Sequence, residues 1–243
     1  MIYNIETELI IIMELSLKVN NCNDCIYKST SFKSLTADEL KFVNSKKTEK
    51  FFRKGDKICV EGEDISSFMY LQTGLVKLFK TENNSKEHII SIAKPKDFIG
   101  SLSAFSNTKH IYSLTAIEDS LICCVDTEII KNFIKTNGAF AIDFFSQISA
   151  TSDSVIKTRI DINTRQLRGR IAYIILLFAQ HIYKSNAFNL PISRKEVAEL
   201  IDMSTENVIR VLSEFRKDGL IQIEGKNIEV KDFKRLEKVY ELG

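Results

Sequence analysis

The chain is 243 residues long, which exceeds the usual size of a single domain, so one or two domains are expected. Its hydrophobic content of 44% supports a buried core, and its net charge of +2 excludes any argument for a nucleic-acid partner from overall charge. The five cysteines are an odd number and accompany no export signal, which indicates a reducing cytoplasm rather than a secreted disulfide scaffold.

The first 20 residues are expected to form an N-terminal extension. Their apolar run at residues 9–13 is too short to span a bilayer. Glu6 and Glu8 precede this run, where a signal peptide would carry basic residues. Met1 and Met13 are both candidates for the natural start. We therefore expect a cytoplasmic protein without a membrane partner.

Residues 21–136 carry the pattern of a small antiparallel barrel with flanking helices. A capping box at residues 36–39 (TADE) predicts a short helix that carries Leu40 and Val43. Short β-type runs then follow at regular spacing, with glycines between them, as in a barrel or sandwich. The runs are residues 57–60, 68–71, 75–79, 88–92 and 121–125, and the glycines are Gly55, Gly62, Gly74 and Gly100.

Residues 127–184 are predicted to be helical, and the middle of this region has a repeating apolar pattern. Ile148, Val155 and Ile162 recur every seven residues, and Phe144 and Phe145 open the stripe. This spacing predicts a seam for the same helix of a second copy. The alternative is that the helix packs only on its own barrel.

Residues 191–230 predict two short helices, a tight turn and a closing β-hairpin, which together form a winged helix-turn-helix. Ser193 and Glu196 form a capping box at the first helix, and Ser204 can cap the second. Asp202 lies in the turn, where a left-handed backbone is needed and aspartate tolerates it better than most residues.

The N-terminal part of the second helix is the part of such a motif that enters the major groove. The Glu206 carboxylate can accept a hydrogen bond from cytosine N4, and Arg210 can fork onto guanine O6 and N7. The alternative is that these two side chains only form an exposed ion pair. The residues expected to contact DNA are Ser193, Arg194, Ser204, Thr205, Glu206, Asn207 and Arg210.

Three arginines, Arg165, Arg168 and Arg170, lie just before the motif. They can bind DNA phosphates, or they can simply keep a helix face in contact with water. The sequence leaves both roles open.

A barrel, a long helix and a C-terminal winged helix, in this order, resemble the Crp/Fnr family of bacterial transcription regulators. The resemblance implies an α+β fold with an N-terminal antiparallel β-roll or jelly-roll barrel, a long dimerisation helix and a C-terminal winged helix-turn-helix. It runs from about residue 22 to the end of the chain. The motifs that carry it are residues 52–56 (FRKGD), 62–63 (GE), 70–74 (YLQTG), 96–100 (KDFIG), 114–116 (LTA) and the helix-turn-helix itself.

The resemblance also implies a domain order and a function. Residues 21–136 would be the effector domain, 137–164 the dimerisation helix and 165–243 the DNA-binding domain. A homodimer would bind a palindromic promoter site and contact RNA polymerase, while an effector in the barrel reorients the DNA-binding domains. Glu206 and Arg210 match the base-reading pair of the family. Thr205 stands where the cyclic-AMP branch has arginine, so the preferred sequence is expected to differ.

The pocket motif of the family departs from its pattern in this chain. A Gly-Glu pair and an Arg-Ser pair hold the cyclic nucleotide, but here Ser101 follows Gly100, and the loop at 106–113 has Lys109 and no arginine. A phosphate loses its strong bidentate hydrogen bonds without that arginine, so cyclic AMP is not expected and an unidentified effector stays open. The expected pocket residues are Phe98, Gly100, Ser101, Leu102, Lys109, His110, Tyr112 and Ser113.

Cys22 and Cys25 have the spacing of cluster ligands, and Cys123 matches the distant ligand of the oxygen-sensing branch. The third N-terminal cysteine of that branch is missing, so we expect no metal and no cofactor. The alternative is a redox or iron–sulfur sensing regulator that uses these three cysteines.

The remaining chemistry of the chain indicates no enzyme. The sequence has no phosphate loop, nucleophile elbow or zinc-protease spacing. The three histidines, His88, His110 and His181, have no neighbours that indicate a haem site.

Overall fold

The computed structural model describes residues 22–23, 25, 28–82 and 86–243. The predicted N-terminal extension, with its apolar run and both candidate starts, lies outside the described residues. Within the described part, no helix is both long and apolar enough to cross a membrane.

Two short helices, α1 (Thr30–Lys33) and α2 (Ala37–Lys46), precede the barrel. The predicted capping box at α2 is confirmed, because the Glu39 N–H donates to the Thr36 hydroxyl and the Thr36 N–H donates to the Glu39 carboxylate. Leu40 and Val43 are buried, as expected for the inner face of this helix.

The barrel consists of two four-stranded antiparallel sheets, so the predicted fold class is confirmed. One sheet has the order β1-β8-β3-β6 and the other β2-β7-β4-β5. The five predicted β-type runs correspond to β2, β3, β4, β5 and β8, and the sequence analysis missed β1, β6 and β7. The strands are β1 (Thr48–Phe52), β2 (Lys57–Cys59), β3 (Ser67–Thr73), β4 (Val76–Thr81), β5 (Glu87–Ala93), β6 (Phe98–Ile99), β7 (Ser113–Ala116) and β8 (Ser120–Asp126), with a short helix α3 (Ser101–Ala104) after β6.

Strand β3 is buried on both faces, which organises the barrel around it. Successive side chains of a strand point to opposite faces. Phe68 and Tyr70 therefore join an aromatic core under the helices, whereas Met69 and Leu71 fill the space between the two sheets.

The helical region that follows is interrupted twice. Helices α4 (Thr127–Thr136) and α5 (Gly138–Thr164) meet at Asn137, whose side chain accepts a hydrogen bond from the Phe140 N–H and caps α5. Helix α6 (Leu167–Leu176) starts after a second break and continues into a π-helix (Leu177–Ile182).

The predicted partner seam on α5 is wrong in its position. Phe144 and Ile162 are completely buried within the chain, so their side chains are not available to a second copy. Ile148 and Val155 are half-buried, and Ile148 packs on the aromatic core of the barrel. The alternative, in which this stripe packs on the chain's own barrel, describes these side chains better. Of the five predicted seam residues, Phe145 is the exposed one.

A different stripe of α5 is apolar and exposed. It comprises Ile142, Phe145, Ile156 and Ile160, and Ile142 is 70% exposed. This stripe lies on the opposite side of the helix from the residues that pack on the barrel.

The C-terminal part is a winged helix-turn-helix, as predicted. Its sheet has the order β10-β11-β9, and β10 and β11 form the wing through a turn at Gly225. Its elements are β9 (Ala187–Asn189), α7 (Arg194–Leu200), α8 (Thr205–Lys217), β10 (Ile221–Glu224), β11 (Asn227–Val230) and α9 (Phe233–Leu242).

The winged helix shares one hydrophobic core with the barrel. Leu75, Phe79, Ile89 and Ile117 of the barrel belong to the same buried cluster as the apolar side chains of α7 and α8. The two parts are therefore packed together in this conformation.

Candidate DNA-binding surface and sensor sites

Helix α7 begins with the predicted capping box. The Glu196 N–H donates to the Ser193 hydroxyl at 3.2 Å, and the Ser193 N–H donates to the Glu196 carboxylate at 2.8 Å. Both polar groups of Ser193 are thereby used within the motif. Ser193 positions the helix-turn-helix, and a direct contact of its side chain with DNA stays a prediction.

The turn of the motif contains the predicted left-handed residue, Asp202, at φ 51°. Arg170 donates to the carbonyls of Ile201 and Asp202 at 3.1 Å each, and Arg159 of α5 reaches the Asp202 carboxylate at 3.3 Å. A left-handed non-glycine residue is strained, so these arginines hold a conformation that the chain alone disfavours.

The arginine cluster before the motif binds the protein itself. Arg168 pairs with Glu214 and Asp218 at 2.7 Å each, which ties α6 to the recognition helix α8. Arg165 stacks on the Tyr240 ring, 3.8 Å from its centroid. Each of the three guanidinium groups therefore makes contacts within the protein, while the Arg168 side chain remains 40% exposed.

Recognition helix α8 is capped by Ser204, whose hydroxyl accepts from the Asn207 N–H at 3.3 Å. Its inner stripe is buried and anchors it in the domain core. This stripe comprises Val208, Val211, Leu212 and Phe215.

The predicted base readers Glu206 and Arg210 are both exposed on the outer face of α8. Arg210 binds the Glu214 carboxylate at 2.6 Å and the Asn207 amide oxygen at 3.2 Å, so the Glu206–Arg210 ion pair is not formed in the described part of the chain. Hydrogen bonds from its own backbone N–H and from the Ser204 hydroxyl lower the pKa of Glu206. The Glu206 carboxylate is therefore ionised and able to accept hydrogen bonds.

The other expected contact residues flank this face. Thr205 and Asn207 are half-buried at the start of α8, and Arg194 donates to the Gly225 carbonyl at 3.0 Å, which joins α7 to the tip of the wing. The reading face, its cap and the wing thus belong to one continuous surface.

A cleft of about 640 Å³ separates the start of α8 from the barrel. Ser204, Thr205 and Asn207 line one wall, and Lys86 and His88 of the β4–β5 hairpin line the other. In this conformation the start of α8 faces the barrel of the same chain.

A buried ion network fastens this arrangement. The Lys77 ammonium of β4 lies 2.6 Å from the Glu87 carboxylate and 2.9 Å from the Glu196 carboxylate, and its side chain is only 8% exposed. Burial lowers the pKa of Lys77, but hydrogen bonds to the two carboxylates outweigh it and raise the pKa. Glu196 therefore caps α7 and joins it to the barrel at the same time.

A second cavity, of about 390 Å³, touches the barrel, α5 and the winged helix. Four of the expected pocket residues line it: Phe98, Gly100, Ser101 and Tyr112. The sequence analysis did not predict the lining residues that come from distant segments of the chain. These residues are Gln147, Thr151, Ser154, Val155, Thr158, Tyr173, Leu177, Ile182 and Leu200.

The other expected pocket residues lie elsewhere. Lys109 donates to the Gly62 carbonyl at 3.0 Å and pairs with Asp64 at 3.3 Å, so its ammonium is not directed to the cavity. The Ser113 hydroxyl accepts from the Glu61 N–H at 3.0 Å.

His110 is buried beside Gly100, and burial lowers the pKa of its imidazole. The Leu102 side chain is outside the described part.

The charge of the cavity wall differs from that of a phosphate site. Lys94 is the one cation among the lining residues, and it is exposed. Asp97 is the one carboxylate, and burial raises its pKa. Hydroxyl groups supply most of the remaining polarity, including Thr158 and Tyr173, whose oxygens lie 3.1 Å apart.

Cys22, Cys25 and Cys123 line a separate small cavity of about 40 Å³ together with Lys47 and Tyr70. Burial raises the pKa of Cys22, and it raises the pKa of Cys123 to about 12. Cys22 and Cys123 are therefore mostly protonated at neutral pH.

The cysteines do not fit the four-thiolate set of an iron–sulfur cluster. Cys124 follows Cys123 on the strand and therefore points to the opposite face, into the barrel core with Cys59. Among the described residues, no group of three or more His, Cys, Asp or Glu side chains is arranged to hold a metal ion.

Two family models match the chain. A cyclic nucleotide-binding domain matches residues 49–137, and a Crp-like helix-turn-helix domain matches residues 169–239. The chain belongs to the Crp/Fnr family of transcription regulators. It is a DNA-binding regulator, and its relatives in this family are regulators rather than enzymes.

Relatives from several bacteria match most of the chain. The transcriptional activator protein FnrL of Cereibacter sphaeroides is 22% identical over 233 residues, covering 92% of this chain and 93% of its own. The CRP-like cAMP-activated global transcriptional regulator of Mycobacterium tuberculosis is 24% identical over 189 residues, which cover 76% of this chain and 84% of the relative. The structure of FixK2 from Bradyrhizobium japonicum matches with a TM-score of 0.72 at 20% identity. The match covers 79% of this chain and 96% of the FixK2 chain.

Proposed function

We propose that the protein regulates transcription as a homodimer on a palindromic promoter site, contacts RNA polymerase, and responds to a barrel signal other than cyclic AMP. The observation that carries the dimer is the exposed apolar stripe of α5. Ile142, Phe145, Ile156 and Ile160 face solvent along this helix.

Exposed large apolar side chains that share one face of a long helix favour a helix–helix interface. A two-fold pairing along α5 uses the same stripe of both copies. It also presents two recognition helices to half-sites about one helical turn apart.

The dimer is tested with the double variant Ile156→Glu/Ile160→Glu of the full chain. Light scattering should give a dimer for the wild type and a monomer for the variant. Lys157→Glu is the matched control, since it adds the same charge beside the stripe and should stay dimeric. A monomeric wild type, or a variant that remains dimeric, contradicts this part of the proposal.

Sequence-specific binding is tested at Arg210. Arg210→Ala should weaken binding to the protein's own upstream palindrome by about 1–3 kcal/mol and relax one base position. Arg216→Ala, an exposed change in the last turn of α8, is the control and should leave that position specific. Equal binding of the wild type to scrambled DNA at physiological salt would refute a sequence-specific regulator.

Activation is proposed because FnrL is named as a transcriptional activator. Transcription in vitro with purified RNA polymerase should increase when the protein is added to a template that carries its palindrome. A decrease would instead identify a repressor that blocks the polymerase.

The signal is proposed to differ from that of the Mycobacterium tuberculosis relative, which is named as cAMP-activated. The cavity wall lacks an arginine to hold a cyclic phosphate by paired hydrogen bonds. Cyclic AMP should therefore change neither the melting temperature nor DNA binding. A saturable rise in melting temperature with cyclic AMP would overturn this.

A second candidate is a thiol redox regulator, favoured by the convergence of Cys22, Cys25 and Cys123 on one cavity. Two thiols would transfer their hydrogens to hydrogen peroxide, forming one S–S bond and two waters. Mass spectrometry after peroxide treatment should then find a disulfide among these three cysteines and a change in DNA binding. If all three stay open to alkylation, this candidate fails; Cys59, in the barrel core, is the internal control.

A further inference from the structure

Ile209 is the exception among the apolar side chains of the recognition helix. The other four, Val208, Val211, Leu212 and Phe215, are buried in the domain core. Ile209 is 52% exposed. Domain packing therefore explains those four residues but gives no reason for a large aliphatic side chain at 209.

The position of Ile209 on the helix places it among the base readers. At 3.6 residues per turn, Ile209 lies roughly 60° around the helix from Glu206, and Arg210 lies about 40° on the other side. Ser213 falls between Ile209 and Glu206 on this projection. The reading face thus combines a carboxylate, a guanidinium and an aliphatic group.

A duplex offers few partners for an aliphatic side chain in the major groove. The C5 methyl group of thymine is the apolar feature of the base edges there, and apolar side chains contact it. Glu206 and Arg210 supply hydrogen bonds, which select cytosine and guanine edges. An aliphatic group beside them adds the ability to select thymine.

We propose that Ile209 is a specificity-determining residue that packs on the methyl group of one thymine in each half-site. The inference rests on the DNA-binding function and adds a contact of a different chemical kind to the polar readers.

The test replaces each thymine of the bound half-site, one at a time, by deoxyuridine, which lacks only the methyl group. For the full-length wild type, one position should weaken binding by about fourfold, the ratio expected for one buried methyl-sized group. Ile209→Ser should bind thymine and uracil equally at that position, and Ile209→Val should keep part of the preference. Ser213→Ala is the matched control on the same face and should keep the full ratio.

Two results would overturn the proposal while leaving the regulator itself intact. One is a wild type that binds its palindrome specifically but tolerates deoxyuridine at every position. The other is an Ile209→Ser protein that keeps the wild-type thymine preference. A wild type without any preference for its palindrome would instead refute sequence-specific regulation, and Ile209 with it. Because Ile209 is exposed, its variants should melt like the wild type, which excludes misfolding as a cause.

Discussion

The winged helix and the sensor cavity differ in how far apart in the sequence their working residues lie. The cap, the turn and the reading face all fall between Ser193 and Arg210. The cavity instead takes its walls from segments as distant as Leu78 and Leu200. A DNA-reading motif is therefore a local object that short-range rules can place. A sensor site is a product of tertiary packing and can change its chemistry while the fold stays the same.

The two regions share a hydrophobic core, so we expect them to unfold together. Ile89→Ala should have the largest effect on this joint unfolding. Ile89 is a barrel residue completely buried in the core shared with the winged helix, so its truncation should cost about 2–5 kcal/mol. Urea unfolding of the variant should give one transition that coincides in circular dichroism and tyrosine fluorescence. Its midpoint should lie at a lower urea concentration than that of the wild type. Ile90→Ala, half-buried on the opposite face of the strand, should cost less. Two separate transitions in the wild type would show independent folding.

Lys77→Met sharpens the comparison at the polar contact between the regions. The change leaves the Glu87 and Glu196 carboxylates without their shared cation, which should lower the free energy of unfolding by about 1–3 kcal/mol. Lys80→Met removes an exposed partner of Glu61 and should cost less than about 1 kcal/mol. Equal effects of the two variants would mean that the buried network does not fasten the winged helix.

Ser193→Ala isolates a local contribution inside the motif. Loss of the N-cap hydroxyl should cost about 1 kcal/mol in unfolding free energy. Ser204→Ala removes the corresponding cap of the recognition helix, whose hydroxyl accepts from the Asn207 N–H within the motif. If each cap acts only within its own helix, the two variants should lose the same free energy of unfolding. A larger loss for Ser193→Ala would indicate that the contact between Glu196 and Lys77 depends on the cap.

The pH dependence of the contact gives the smallest effect. Burial raises the pKa of Glu196, but bonds from Ser193 and Lys77 outweigh it and lower the pKa below the usual 4.5. The ionised carboxylate thus stabilises the folded state above pH 4.5, and this contribution is lost as the pH falls through the lowered pKa. The stability of Glu196→Gln should therefore fall less than that of the wild type when the pH is lowered from neutral to below 4.5. Urea midpoints at the two pH values measure this difference. A wild type and variant with parallel pH profiles would contradict this.

The sequence predicted the caps at Thr36, Ser193 and Ser204 and the left-handed Asp202, because each depends on residues within one or two turns. The α5 seam was misplaced because this helix has two apolar stripes. Only the packing of the barrel decides that Phe144 faces inward and Ile142 outward. Lys109 was misplaced for a similar reason, since its partner Asp64 lies on a distant loop. Contacts between segments far apart in the sequence carry no local signal.

The position of Arg159 has a practical consequence for hybrid regulators. This arginine of α5 bonds to the Ile89 carbonyl of the barrel, to the Leu200 carbonyl and to the Asp202 carboxylate of the turn. A winged helix grafted onto a foreign sensor would lose this support from outside its own sequence, and its strained turn would be held by Arg170 alone. Functional chimaeras made from this protein should therefore be joined upstream of Arg159 rather than at the start of α6.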